Sequence, residues 1–191
     1  MWPWEHVAVA YIAYSLLSRT AVARRPGPAE TLAVVLGALA PDLIDKPLAW
    51  LFGVLSSGYG VGHSVFVAVP LAIAAVVAGA ALDRRSVGTA FGVAYLSHLP
   101  ADVYYGVLLG NDPAYSAVTW PLGASGAPST RGLLENVAYY FEHFLEFLAT
   151  PEAKLYIGAE LTLLTVAAVL LYLDGREHWR TRSTVGARGS R

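Results

Sequence analysis

From Leu32 to Leu55 the sequence is apolar except for one short stretch, Pro41-Asp42-Leu43-Ile44-Asp45-Lys46. That interruption constrains the chain more than any other feature. A charged side chain at the centre of a membrane helix costs about 2.5–3.5 kcal/mol on insertion scales, so two acids and a lysine persist there only if they face a polar cavity, pair with one another or bind a cation. Asp42 and Asp45 are three residues apart and share one face of a helix. Pro41 is suited to the first position of a helical segment, where its missing N–H is not needed. The pattern predicts a membrane helix interrupted at Pro41, with both acids directed inward. A purely structural salt bridge to Lys46 is the alternative at this point.

The rest of the 191-residue chain agrees with a membrane setting: 55% of residues are hydrophobic and 14% charged. Soluble domains carry about 25% charged residues. The fold class expected is all-α, a polytopic bundle of five transmembrane helices, near 7–23, 31–55, 63–82, 87–109 and 156–173, with one amphipathic interfacial helix. Residues 1–174 read as a single transmembrane helical domain and 175–191 as a basic, disordered cytoplasmic tail. The apolar start lacks a positive n-region and does not read as a cleaved signal peptide. Nine Lys or Arg residues, at 24, 25, 84, 85, 176, 180, 182, 188 and 191, fall on one side, against Arg131 and Lys154 on the other. The positive-inside rule then makes the chain an integral plasma-membrane protein with its N-terminus outside and its C-terminus in the cytoplasm. A net charge of −1 argues against a nucleic-acid partner, and with no cysteine any metal must be held by His, carboxylate, backbone or water.

Between Gly110 and Pro151 runs a long outer loop. Residues 111–130 read as coil. Residues 131–148 read as an amphipathic helix, with Leu134, Val137, Phe141, Phe144, Leu145 and Leu148 on one side and Glu135, Glu142 and Glu146 on another. Such a helix suits the membrane interface or the lid of a pocket, or packs on the bundle.

The topology sets Asp42 near mid-depth and Asp45 above it. His98 and Asp102, at i and i+4, share a helical face, although Pro100 between them loosens the backbone. His63 and His6 enter from the outer edge. Taken alone, His98 reads as a satisfied core histidine. Together, Asp42, Asp45, His63, His98 and Asp102 read as a metal site, since His and Asp without Cys suit zinc with an open position or harder ions. His143 is a further ligand or an exposed loop histidine.

The order His6, then Pro41-Asp42-x-x-Asp45-Lys46, then His63-Ser64, then His98-x-x-x-Asp102 resembles the membrane-bound, YdjM-like metal-dependent hydrolases, over about half of the chain. That family is grouped with the all-helical zinc-dependent phospholipase C and P1-nuclease fold. The resemblance implies phosphoester hydrolysis, on a lipid or lipid-linked substrate. His143 and Glu146 alone stand where later ligands of the soluble enzymes would be, and Trp2 follows Met1, so an N-terminal Trp ligand is not carried over. One or two divalent ions, zinc first, are expected rather than three. The expected ligands are Asp42, His63, His98 and Asp102, with His6 and His143 as further ones. Asp45 is a bridging ligand, an orienting residue or a general base; Lys46 holds an acid ionised or contacts phosphate. An ion-coupled carrier and a non-enzymatic membrane scaffold are the competing readings.

Overall fold

The computed structural model describes residues 1–123 and 131–188. Among these the chain is all-helical: α1 (Pro3–Ala21), α2 (Pro28–Trp50), α3 (Val65–Ala81), α4 (Arg85–Leu108), a 3-10 turn at Tyr115–Val118, α5 (Leu133–Leu148) and α6 (Ala153–Arg188). Three helices start by the same device. A glutamate in the first turn reaches back to the N–H of the residue before the helix: Glu5 to Trp2 at 2.5 Å, Glu30 to Gly27 at 2.7 Å and Glu135 to Gly132 at 3.1 Å. Each satisfies a backbone donor that the helix leaves free and puts negative charge at the positive end of the helix dipole.

Helix α4 is central and packs against α1, α2 and α3. The seam between α1, α2 and α4 is built from small residues and two tyrosines: Ala10, Ala33, Ala38, Ala90 and Ala94 with Tyr11 and Tyr14. Small side chains let backbones approach closely. At Gly37 a Cβ would stand 2.4 Å from the carbonyl oxygen of Phe91, so α2 and α4 touch through backbone there. The bundle keeps its charges inside: Glu5, His6, Glu30, Asp42, Asp45, His63, His98, Asp102 and Asp174 are buried, while Leu36, Leu43, Ile73, Val77 and Leu161 are exposed. Large apolar side chains facing outward around a polar interior suit lipid surroundings.

Several expectations need revision. Helix α2 is unbroken through Pro41 and Pro47, and α4 through Pro100. Packing against neighbouring helices holds these prolines within continuous helices. Residues 124–130 of the outer loop lie outside the described residues, and Tyr115–Val118 is helical rather than coil. Helix α6 continues to Arg188, through most of the stretch expected as a disordered tail. Among the described residues one helix, Ala153–Arg176, is long and apolar enough to cross a membrane by length and composition, and α3 is apolar but shorter. The five-crossing expectation therefore goes beyond what helix length and apolarity establish. The reason lies in the sequence: α1, α2 and α4 carry the polar residues that make up the interior.

Helix α6 is fastened to both ends of α1. Tyr156 donates to Glu5 at 2.6 Å at one end. At the other, buried Asp174 accepts from Tyr11 and Ser15, both at 2.9 Å, and from Arg19. Tyr11, Ser15 and Arg19 are spaced by four along one face of α1, so one carboxylate takes three successive turns.

Candidate metal centre

The centre lies at the end of the bundle where α1 begins and α2 and α4 finish. His6 comes from the first turn of α1, Asp42 from the second half of α2, and His98 and Asp102 from α4. His63 comes from the glycine-rich loop between α2 and α3, which folds back over α2. At Gly62 a Cβ would stand 2.8 Å from the carbonyl oxygen of Pro41, so this residue allows the loop to lie directly on the helix. Tyr95 on α4 holds the loop down by donating to the Gly62 carbonyl at 2.7 Å, and Ser64 donates to the carbonyl of Trp120 at 2.7 Å.

Asp45 organises this loop. One of its oxygens accepts from the Gly62 N–H at 2.8 Å; the other accepts from the N–H of Gly60 at 2.7 Å and of His63 at 3.0 Å, and faces His63 Nδ1 at 2.8 Å. The residue is wholly buried. Both oxygens are engaged with the loop and the imidazole, so neither is turned to the point where the other donors meet. Of the roles open to Asp45, the geometry fits the orienting one, and it does not supply a bridging ligand or a base.

The two histidines are set in the same sense. His98 Nδ1 lies 2.6 Å from the carbonyl oxygen of Ala38. A carbonyl can only accept, so Nδ1 carries the proton. His63 Nδ1 faces a carboxylate and carries its proton likewise. Both rings therefore turn Nε2 inward, and the two Nε2 atoms stand 3.1 Å apart. Asp102 Oδ2 is 3.2 Å from His63 Nε2 and 3.3 Å from His98 Nε2. Asp42 Oδ1 is 3.5 Å and 3.8 Å from the same two atoms. Two imidazole lone pairs between two carboxylates need a positive charge among them, either a proton or a metal ion.

The donor set fits a metal. One ligand atom from each of Asp42, His63, His98 and Asp102 lies within 4.8 Å of every other, and all four residues are buried. A tetrahedral zinc site with arms of about 2.0–2.1 Å has ligand–ligand edges of about 3.3–3.4 Å. The separations above bracket that value. The supports are also of the kind metal-binding histidines use: each ring gives its other N–H to a carboxylate or a backbone carbonyl.

His6 adjoins the four without joining them. Its ring stacks on His98 at 3.6 Å between centroids, and its Nε2 is 3.2 Å from Asp102 Oδ1, the oxygen turned away from the other histidines. Its Nδ1 is buried with no hydrogen-bond partner among the described residues. The amino nitrogen of Met1 stands 3.1 Å from the same Asp102 oxygen. Lys46 pairs with Asp42 at 2.6 Å and is the partly exposed cation at the mouth. His143 is not part of the centre. It is exposed on α5, bonded through Nδ1 to the Tyr139 carbonyl at 2.8 Å and packed on the Tyr139 ring.

Some contributors carry no signal of their own in the sequence. The Ala38 carbonyl and the loop N–H groups are backbone. Tyr59, whose ring meets His63 edge-on at 4.8 Å, and Trp50, with Lys46 Nζ 5.9 Å from its ring centre, look like ordinary aromatic residues of a membrane protein. Their place beside the His-Ser and Asp-Lys motifs was the available hint.

No curated protein and no solved structure matches the chain. A family model described as YdjM inner membrane protein matches residues 1–178, and so includes every residue of the centre. The chain belongs to the YdjM inner membrane protein family.

Proposed function

We propose that the chain is a membrane-embedded hydrolase that uses one or two divalent ions, zinc in the first instance, to cleave a phosphoester of a lipid or lipid-linked substrate at the outer face. The observation that carries this reading is the convergence of His63 Nε2, His98 Nε2, Asp42 Oδ1 and Asp102 Oδ2, with both Nδ1 protons tied down from behind.

In this reading Asp42, His63, His98 and Asp102 hold the ion. Bound there, it would lower the pKa of a water toward about 7 and polarise a phosphoryl oxygen. Asp45 keeps His63 in the tautomer that presents Nε2. Asp102 serves two neighbourhoods, one through each oxygen, and His6 on the second supports a further ion. Lys46, which pairs with Asp42 through Oδ2 and leaves Oδ1 to the centre, would meet a phosphate oxygen as a point charge.

Helices α1, α2, α3, α4 and α6 are the five crossings, and α5 lies along the outer interface. The arginines at 24, 25, 84 and 85 lie at the end of the bundle opposite the centre, and the positive-inside rule applied to them supports a centre that faces outside. The test is release of phosphate or a phosphorylated headgroup from phospholipid and polyprenyl-phosphate substrates by zinc-loaded protein in vesicles. Turnover by the natural chain that is lost in His98→Ala supports the reading. A zinc-loaded, folded chain that turns over neither substrate class contradicts it and leaves the scaffold or carrier.

A further inference from the structure

The centre is closed. The side chains of His6, His63 and His98 are 0% exposed and that of Asp102 only 3%. A substrate of any size reaches them only if something moves, and the elements over the mouth point to α5.

Two lines of contact run from the acids to this helix. Asp42 pairs with Lys46, whose Nζ stands over Trp50, and Trp50 stacks on Tyr140 at 5.8 Å between centroids. Asp102 is met by the amino nitrogen of Met1, and the next residue, Trp2, packs edge-on against Phe144 at 4.9 Å. Tyr140 and Phe144 are one turn apart on α5. The helix therefore bridges both sides of the mouth, Tyr140 on Trp50 and Phe144 on Trp2, and rests besides on Tyr156 of α6 through Phe144 at 5.9 Å and Phe147 at 5.5 Å. Tyr140 stays 52% exposed, so the contact on the Trp50 side is a partial one that can open.

The sequence pattern gives α5 three faces. Leu133, Asn136, Tyr140, Phe144 and Phe147 form the inner one. Glu135, Glu142 and Glu146 form a second. The third carries Leu134, Val137 and Leu145, which are 81%, 50% and 50% exposed, with Phe141 among them, 48% exposed and meeting Trp2 edge-on at 6.2 Å. Apart from the Phe141 contact with Trp2, the stripe that reads as a packing face thus points away from the bundle. Its position says what covers it. Helix α5 ends at Leu148, and α6, the apolar span, begins at Ala153, so the helix is tethered where that span enters lipid. It carries three glutamates and no lysine or arginine, so its attraction to a membrane is apolar and needs no anionic headgroup.

We propose that the outer stripe of α5 docks on the lipid surface and that this docking draws Tyr140 and Phe144 off Trp50 and Trp2, so that α5 is a lipid-operated cover over the centre. Opening then happens where a lipid-borne substrate is at hand, which rests on the hydrolase reading for its purpose but not for its geometry.

The chain has no cysteine, so single thiols report cleanly. The full chain with Tyr140→Cys carries a bimane label whose fluorescence is quenched by Trp50 on contact. The label is compared in amphipol, which offers no bilayer, and in phosphatidylcholine vesicles. The quench is expected in amphipol and lost in vesicles, and Val137→Glu with Leu145→Glu should restore it in vesicles. Bimane at Val137→Cys should be quenched by brominated phosphatidylcholine, and bimane at Glu142→Cys should not. An equal Trp50 quench in both settings overturns the proposal. So does a Val137 label that brominated lipid does not reach, or a stripe variant that changes the oligomeric state instead, which would assign the face to a second copy. Metal content is measured on the same samples: a cover that responds to lipid in a chain that binds no metal would leave this proposal standing and remove the hydrolase.

Discussion

Replacing Asp45 with asparagine tests the internal logic of the centre, because the residue touches nothing but its supports. The carboxylate accepts from three N–H groups and faces His63 Nδ1, all at 2.7–3.0 Å. An amide offers one acceptor and one donor. In its better orientation the oxygen keeps the Gly60 and His63 contacts, and the NH₂ group is left against the Gly62 N–H at the former 2.8 Å. The opposite orientation loses three contacts to save one. A buried donor left without a partner costs about 1–3 kcal/mol. His63 Nδ1 then keeps an acceptor, but a neutral amide oxygen in place of a carboxylate, and changing the outer partner of a metal-binding histidine typically costs about 10–100-fold in affinity, or about 1.4–2.7 kcal/mol. The two ranges overlap, so Asp45→Asn is expected to weaken zinc binding about 10–100-fold without abolishing it, with a lowered melting temperature. The assay is competition with a chromophoric chelator on purified protein, beside thermal unfolding of the same samples. Natural affinity and natural stability in Asp45→Asn would refute the orienting role. Complete loss of metal in a folded variant would instead make Asp45 a ligand.

Asp174→Ala should free α6 from α1 at the end away from the centre. It removes the shared acceptor of Tyr11, Ser15 and Arg19, and at about 0.6–1.7 kcal/mol for each bond between membrane helices the loss is about 2–5 kcal/mol, read as easier unfolding in a denaturing detergent. Gly62→Ala drives a Cβ to 2.8 Å from the Pro41 carbonyl oxygen, so the loop must lift and metal affinity should fall as it does in Asp45→Asn, in the same chelator assay. Cysteines introduced singly at Ser57 and Ser86 should differ toward an impermeant thiol reagent in intact cells, the first reacting and the second protected; the reverse pattern would turn the centre to the cytoplasm.

The composition of the centre was legible because membrane interiors exclude unneeded charge. Asp42, Asp102 and His98 stand out in apolar surroundings, and the i, i+4 spacing of His98 and Asp102 survives Pro100 intact, with Nε2 and Oδ2 at 3.3 Å. The roles were less legible. Asp42 and Asp45 share a face, but a helical period does not reveal which carboxylate a distant loop will capture, and the N–H groups of Gly60, Gly62 and His63 take Asp45. Pro41 illustrates a different limit. A proline fits the start of a helix and also the interior of a membrane helix whose neighbours hold it, and the sequence near Pro41 does not distinguish the two. The outer helix was found within two residues of its ends. Its apolar residues, however, cover an arc wide enough for two contacts, and periodicity alone assigned all of that arc to one of them.

The most direct test of the central claim is the metal-to-protein ratio of the folded chain, purified without chelator and equilibrated with zinc. The account predicts at least one bound ion per chain, lost in Asp42→Ala, His63→Ala and His98→Ala while each variant stays helical, and retained in His143→Ala. A folded natural chain that binds no zinc, or the three variants binding it as the natural chain does, would contradict the account and leave the buried acids and imidazoles as a proton-bridged structural network.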